Sequence, residues 1–129
     1  MTQKQDLGAI ARSIVDANRF MALGTADARG TPWVSPVWYA PLSYLEYVWV
    51  SRPGTTHCRN LAQRPQVADE LDDVDDALRG FNRRSEAQGL RAWARAEILP
   101  PGEFRLYRAT ATEQFVLDDH DSRLPVHLE

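Results

Sequence analysis

One segment most constrains the fold, because it predicts a strand, a tight turn and a helix in immediate succession. The apolar run from Tyr47 to Val50 leads into Ser51-Arg52-Pro53-Gly54, and a helical stretch then runs from Thr56 to Gln63 before Arg64-Pro65 ends it. A strand that turns directly into a helix directs free backbone N–H groups and the positive end of the helix dipole at one point. Thr55 and Thr56 can cap this helix and still offer a hydroxyl. The segment predicts an anion site, with an ordinary capped turn as the alternative.

A proline-bearing strand precedes this segment. The runs Phe20 to Ala26 and Thr31 to Tyr39 flank the turn sequence Asp27-Ala28-Arg29-Gly30, which predicts a β-hairpin. Proline cannot donate to a ladder, so we expect an edge, a bulge or a ligand at Pro36. On a strand, Ser35, Val37 and Tyr39 share one face and Trp38 takes the other. Backbone freed here suits the edge of a flat polar heterocycle, whereas the alternative is a bulged edge strand with a core Trp.

The rest of the chain adds helices and late strands. Apolar residues at helical spacing predict an amphipathic first helix that ends near Asn18. The acidic stretch from Asp69 to Asp76 opens a later helix with Val74, Leu78 and Phe81 on its buried face, and Phe104 to Leu117 predicts one or two strands. Together these elements predict a mainly β fold with helices, a small antiparallel barrel with short helices at its rim.

Composition and charge exclude several classes. The chain has 129 residues, which we expect to form one domain over 1–129, and a net charge of −3, without the basic excess of a nucleic-acid-binding domain. No apolar run approaches the roughly 20 residues that span a bilayer. The single Cys58 and the polar N-terminus predict a cytoplasmic protein. His57, His120 and His127 are too scattered for a zinc site, so we expect no metal.

These segments together resemble the pyridoxamine 5′-phosphate oxidase-like family, the flavin-binding split barrels. The resemblance runs from Phe20 to Val67 and rests on the order and spacing of its pieces. They are Met21-Ala22-Leu23-Gly24-Thr25, Pro32-Trp33-Val34-Ser35-Pro36-Val37-Trp38-Tyr39, Tyr47-Val48-Trp49-Val50-Ser51, His57-Cys58-Arg59-Asn60-Leu61 and Pro65-Gln66-Val67. It continues less sharply from Asp69 to Val126.

The resemblance implies a homodimer with FMN in a cleft between the subunits. By position, the flavin ring would lie along Ser35, Pro36, Val37 and Trp38. The ribityl phosphate would meet Ser51, Thr56 and His57, and Asn60 would support the loop. Trp93 or Arg105 could reach the site from the second half of the chain. No catalytic residue stands out, as expected where the cofactor carries the redox chemistry.

Two departures from the family pattern matter. The loop reads Thr56-His57 where the vitamin oxidase has a basic pair, and the C-terminal tail lacks its Arg/His/Asp/Arg motif, so the resemblance does not extend to vitamin B6 oxidation. In the family, two further strands of roughly 20 residues would follow Val67, but here Ala68 leads straight towards a helix. Either the protein has truly lost two strands, or a disordered segment that belongs between Val67 and Ala68 is missing from the printed sequence. We favour the second interpretation.

The leading functional hypothesis is an FMN-dependent oxidoreductase whose small-molecule substrate is unknown. One alternative is a deazaflavin-dependent reductase of the same fold, although the acidic tail of that cofactor prefers a more basic groove. The other is a non-enzymatic flavin- or haem-binding carrier or sensor, for which His57 or His120 would serve as the axial ligand. Fold alone does not choose among these hypotheses.

Overall fold

The computed structural model describes residues 6–66 and 68–128. Helix α1 (Leu7–Ala17) begins where the Asp6 carboxylate accepts a hydrogen bond from the Ala9 N–H at 3.0 Å. Strands β1 (Phe20–Ala26) and β2 (Pro32–Trp38) then form the predicted hairpin, in a continuous antiparallel register without a bulge. They form a two-stranded sheet of their own, so β2 is an edge strand, which is one of the arrangements expected for Pro36.

A four-stranded antiparallel sheet forms the centre of the molecule. Its strands, in spatial order, are β3 (Ala40–Pro41), β4 (Glu46–Ser51), β6 (Arg105–Thr110) and β5 (Asp69–Glu70). The C-terminal hairpin pairs β7 (Gln114–Leu117) with β8 (Arg123–Val126), and it packs on α1 through Val116 and Val126. The central sheet separates two sides of the molecule. One helix covers each side, as the two faces of strand β4 show.

Strand β4 distributes its side chains to these two sides by the alternation of a pleated strand. Val48 and Val50 pack towards helix α3 (Asp75–Ala87), in a core that includes Phe81. Trp49 packs in a second core with Cys58 and Leu61 of helix α2 (Thr56–Gln63). The observed bounds of α2 are those predicted, and the predicted buried stripe of α3 is confirmed, since Val74, Leu78 and Phe81 are all buried. Gly89, with φ +75°, lets the chain leave α3 as expected.

The predicted class of antiparallel sheets with flanking helices is confirmed. The described strands lie in three separate sheets, however, and do not close into a barrel. Val67 falls outside the described residues, so the break expected between Val67 and Ala68 stays a prediction, as does the single domain over 1–129. Ala68 itself is buried in the core around Trp49.

Three strands were not predicted: β3, β5 and β8. β5 lies in the acidic stretch that we assigned to the approach of a helix, and it pairs Asp69 with Arg108 and Glu70 with Tyr107. β8 follows the turn at Asp118, whose carboxylate accepts the N–H groups of His120 and Ser122. The unpredicted strands have only two to four residues, which is too short for a clear alternating pattern. Local sequence therefore carries little signal for them.

Candidate functional site

The turn between β4 and α2 closes on itself and leaves the helix start open. The Thr55 N–H and hydroxyl both donate to the Arg52 carbonyl, at 3.1 and 2.9 Å. Thr55 is the N-cap residue, but its side chain makes no capping hydrogen bond, so the expected side-chain cap is wrong. The Thr55 hydroxyl could either cap the helix or bond within the turn, and here it bonds to the Arg52 carbonyl of the turn. Because the first amides of a helix have no acceptor within it, the start of α2 keeps donors for an external anion.

Ser51 and His57 meet at this helix start. The Ser51 Oγ lies 2.9 Å from the His57 Nε2, and the Thr55 Oγ1 lies 3.5 Å from the same nitrogen. Only 9% of His57 is exposed. Burial lowers the pKa of the His57 imidazole, so the ring is neutral near pH 7 and offers one N–H. The structure thus brings together two of the side chains predicted for a phosphate, and places a second hydroxyl, that of Thr55, beside them.

Asn60 ties this helix to the hairpin. Its Nδ2 donates to the Thr25 Oγ1 at 3.1 Å, and the Thr25 hydroxyl donates to the Trp33 carbonyl at 3.4 Å. Asn60 and Thr25 are both buried, and their side chains bond to each other and to the hairpin backbone. Asn60 is a positioning residue by this geometry, because it fixes α2 against β1.

Three arginines belong to the segments that meet at the open helix start, and only Arg105 was considered from the sequence. Arg105 is the cross-strand partner of Ser51, and its Nε lies 3.2 Å from a carboxylate oxygen of Glu70. Arg59 donates to the Gly54 carbonyl at 2.9 Å and to the Thr56 hydroxyl at 3.4 Å. The exposed Arg52 lies 3.7 Å from Glu103. The guanidinium groups of Arg105 and Arg52 are thus paired with carboxylates, and the position of Arg105 opposite Ser51 depends on strand register, which the sequence does not determine.

The predicted flavin-edge segment, Ser35 to Trp38, lies on the edge strand β2. The Ser35 Oγ accepts a hydrogen bond from the Trp33 Nε1 at 2.8 Å, and Pro36 is exposed. Val37 is buried in the core that contains Cys58 and Leu61, whereas Trp38 packs on the opposite core. This confirms the predicted division of faces between Val37 and Trp38.

The two predicted halves of the site are connected by packing. Among the described residues, no hydrogen bond joins Ser35–Trp38 to Ser51–Asn60; the connection is Val37, which shares a core with Cys58 of α2. A rigid path of packed side chains therefore runs from the flavin-edge segment to the anion site.

The donor set at α2 fits a phosphate monoester. Open amides, the Ser51 hydroxyl, a neutral imidazole N–H and nearby guanidinium groups are the groups that bind phosphate in proteins. A dianion beside His57 would favour the protonated ring and raise its depressed pKa. The residues present therefore suit the phosphate of FMN.

The depressed pKa of His57 predicts how stability depends on pH. Because burial favours the neutral ring, the unfolded chain binds a proton more readily, and the free energy of unfolding falls as pH drops below about 6.5, the ordinary pKa of histidine. We expect chemical denaturation of the ligand-free protein to show this loss, and His57→Gln to show a flatter dependence over the same range. Equal slopes for both proteins would contradict a neutral, buried His57.

Two kinds of feature are not found among the described residues. Across residues 6–66 and 68–128, no group of three His, Cys, Asp or Glu side chains is arranged to hold a metal ion. Within the same residues, no helix has the length and apolar character needed to cross a bilayer.

Solved structures with the same fold include proteins that bind different cofactors. A heme binding protein from Mycobacterium smegmatis superimposes with a TM-score of 0.62 at 18% identity; the match covers 97% of this chain but only 59% of that one. HutZ, the heme storage protein from Vibrio cholerae, gives 0.58 at 15% identity, over 85% of this chain and 93% of that one. A pyridoxamine 5′-phosphate oxidase-related, FMN binding protein from Nostoc punctiforme gives 0.51 at 13% identity, over 98% of each chain. At these identities the likeness shows the fold.

The family itself is shown by sequence. The comparison with curated proteins gives no match. The family model described as pyridoxamine 5′-phosphate oxidase matches residues 8–124, which include the hairpin, the open helix start and α3. Together with the fold, this match shows that the chain belongs to the pyridoxamine 5′-phosphate oxidase family.

Proposed function

We propose that this protein is an FMN-dependent oxidoreductase that acts on a small molecule. The observation that carries the proposal is the open start of α2, where Ser51 and His57 lie 2.9 Å apart beside donors suited to phosphate. The FMN binding protein from Nostoc punctiforme, which has the same fold, adds support. When bound, FMN supplies the redox chemistry. The roles of the protein are to bind, to orient and to limit access of water.

The proposed roles follow from the placement of each residue. Ser51, Thr56 and His57 bind the phosphate, and Arg105 adds positive charge from the neighbouring strand. Asn60 holds α2 in place through Thr25. The backbone of the Ser35–Trp38 segment borders the ring, since the outer edge of β2 has no strand partner among the described residues.

We further propose that the protein works as a homodimer in which the outer face of the β1–β2 hairpin is covered. Phe20 and Val34 on this face are 62% and 67% exposed, and Ala22 and Pro36 beside them are uncharged. A contiguous apolar face of this kind is typical of a protein interface. Covering it would bring a second subunit next to the Ser35–Trp38 segment. Sedimentation of the FMN-loaded protein as a monomer would contradict this proposal.

A haem-binding carrier is the second candidate, and it is favoured by the heme proteins that share the fold. His57 would be a poor axial ligand as placed, because its Nε2 faces the Ser51 and Thr55 hydroxyls. His120 is exposed in the β7–β8 turn. The deazaflavin alternative and the cytoplasmic location stay predictions.

Parallel titrations test the proposal. We expect micromolar protein to quench the fluorescence of added FMN. In the parallel titration with hemin, we expect no Soret shift that depends on His57 or His120, so His57→Ala and His120→Ala should give the same hemin spectrum as the wild type. Absence of FMN quenching at micromolar protein would contradict FMN binding.

Turnover separates an enzyme from a carrier. Reduced, FMN-loaded protein is mixed with small-molecule electron acceptors under anaerobic conditions, and reoxidation is followed in the flavin absorbance. An enzyme reoxidises selectively with one class of acceptor.

A further inference from the structure

A cavity lies on the opposite side of the central sheet from His57. It has a volume of about 270 Å³ and lies between Trp38, Phe81 and Trp93, with the half-exposed Leu90 at its rim. Trp38 and Phe81 meet edge to face with ring centroids 5.0 Å apart. An apolar cavity of about 150 Å³ is enough to take up benzene, so this cavity has room for two fused rings.

Two polar residues of α3, Asn82 and Ser85, and its C-cap residue Gln88 are spaced by three and hold the walls of this cavity in place. Asn82 accepts the Trp93 N–H at 2.8 Å and donates to the Trp93 carbonyl at 2.9 Å. The Ser85 hydroxyl donates to the Arg91 carbonyl at 2.6 Å, and the Gln88 Oε1 accepts the Trp38 Nε1–H at 2.8 Å. Residues at this spacing lie on one face of a helix. The aromatic walls are therefore fixed before any ligand arrives, which reduces the entropic cost of binding.

The charge of the cavity is balanced. The Arg91 guanidinium lies 3.8 Å over the Trp93 ring, and its Nη1 lies 3.0 Å from one carboxylate oxygen of Glu97. The buried Ser85 hydroxyl is used by the Arg91 carbonyl. An anionic ligand would lose its hydration without gaining an unpaired cation, whereas a flat, uncharged ring would gain contact with aromatic faces.

We propose that this cavity binds the ring system of a flat, uncharged aromatic molecule, and that this molecule is the organic substrate. The second half of the proposal rests on the proposed function. Trp38 connects the two sites, since it ends the flavin-edge segment and also forms a wall of the cavity. Val50 lines the cavity and directly precedes Ser51 of the phosphate site. Occupancy of the cavity is thus expected to change FMN affinity.

Three matched probes test the ligand class in protein without FMN. They are 2-naphthol, naphthalene-2-carboxylate and decahydro-2-naphthol, and their affinities are measured by calorimetry. We expect 2-naphthol to bind at least about tenfold more tightly than the carboxylate, which carries charge, and than the saturated alcohol, which is not flat. Equal affinities for the three probes, or no binding of 2-naphthol, would overturn the proposal.

A pair of variants tests the location. Leu90→Asp places a carboxylate at the rim and is expected to weaken 2-naphthol binding at least about tenfold. Leu117→Asp is the matched control, because Leu117 is also an exposed leucine, at 57% against 46% for Leu90, but lies on β7 outside the cavity. Equal affinities in the two variants would overturn the location. Because the titrations contain no FMN, failure of cofactor binding would leave both results intact. The substrate role fails separately if 2-naphthol binds but leaves FMN affinity unchanged.

Discussion

Ser51→Asp is expected to weaken FMN binding severely while leaving the protein folded. The new carboxylate would lie beside His57 and the open amides of α2, where we place the phosphate. Two like charges about 4 Å apart repel by roughly 4 kcal/mol near a protein surface, so FMN affinity should fall at least about 100-fold. The same carboxylate is favourable at a helix N-terminus, so the melting temperature should hold or rise. Fluorescence titration and thermal denaturation check the two parts.

Thr112→Asp is the control for Ser51→Asp. It adds the same charge at an exposed position in the turn after β6, near the end of that strand away from Arg105. Its FMN affinity should match that of the wild type. Equal losses in both variants would mean that net charge controls binding. Full FMN binding by Ser51→Asp would mean that the phosphate does not bind at the start of α2.

Trp49→Ala is expected to cause the largest loss of stability. Trp49 is fully buried and stacks on Tyr107 with ring centroids 5.9 Å apart. Truncation of a buried Trp costs about 3–5 kcal/mol, and domains of this size have a total stability of about 5–15 kcal/mol. The variant should therefore be close to unfolding at room temperature. Urea denaturation followed by circular dichroism measures the change in the free energy of unfolding.

Two companion variants show whether this loss comes from packing. The Trp49 Nε1 is buried without a hydrogen-bond partner, so Trp49→Phe removes an unpaired donor and should cost clearly less than Trp49→Ala. Trp33 is 48% exposed, and Trp33→Ala should cost less than about 1 kcal/mol. Similar losses for Trp33→Ala and Trp49→Ala would contradict the assignment of the core.

Sequence predicted best where the signals are local. The bounds of α2 follow from the Pro53-Gly54 turn before it and the Arg64-Pro65 pair after it, and the β1–β2 hairpin follows from its turn residues. Strand β5 was missed because Asp69 and Glu70 suit a helix start, and only pairing with the distant β6 makes them a strand. Long-range pairing of this kind leaves no trace in a short window of sequence.

In the candidate site, too, some residues could be predicted from local sequence and others could not. Ser51 and His57 could be placed together because a strand and a helix joined by a short turn must meet at that turn. The role of Arg105 depends on the register of β4 against β6, which the sequence does not determine by itself. The spacing of Asn82, Ser85 and Gln88 is visible in the sequence, but their partners at Trp93, Arg91 and Trp38 become apparent only in three dimensions.

The most direct test of the central claim compares FMN with riboflavin, which has the same ring but no phosphate. Both flavins are titrated into the wild type and into Ser51→Asp, and dissociation constants are obtained from fluorescence quenching. If the start of α2 holds the phosphate, the wild type should bind FMN at least about tenfold more tightly than riboflavin, and Ser51→Asp should lose that preference. Equal affinity of the wild type for both flavins, or no quenching of either, would contradict the account.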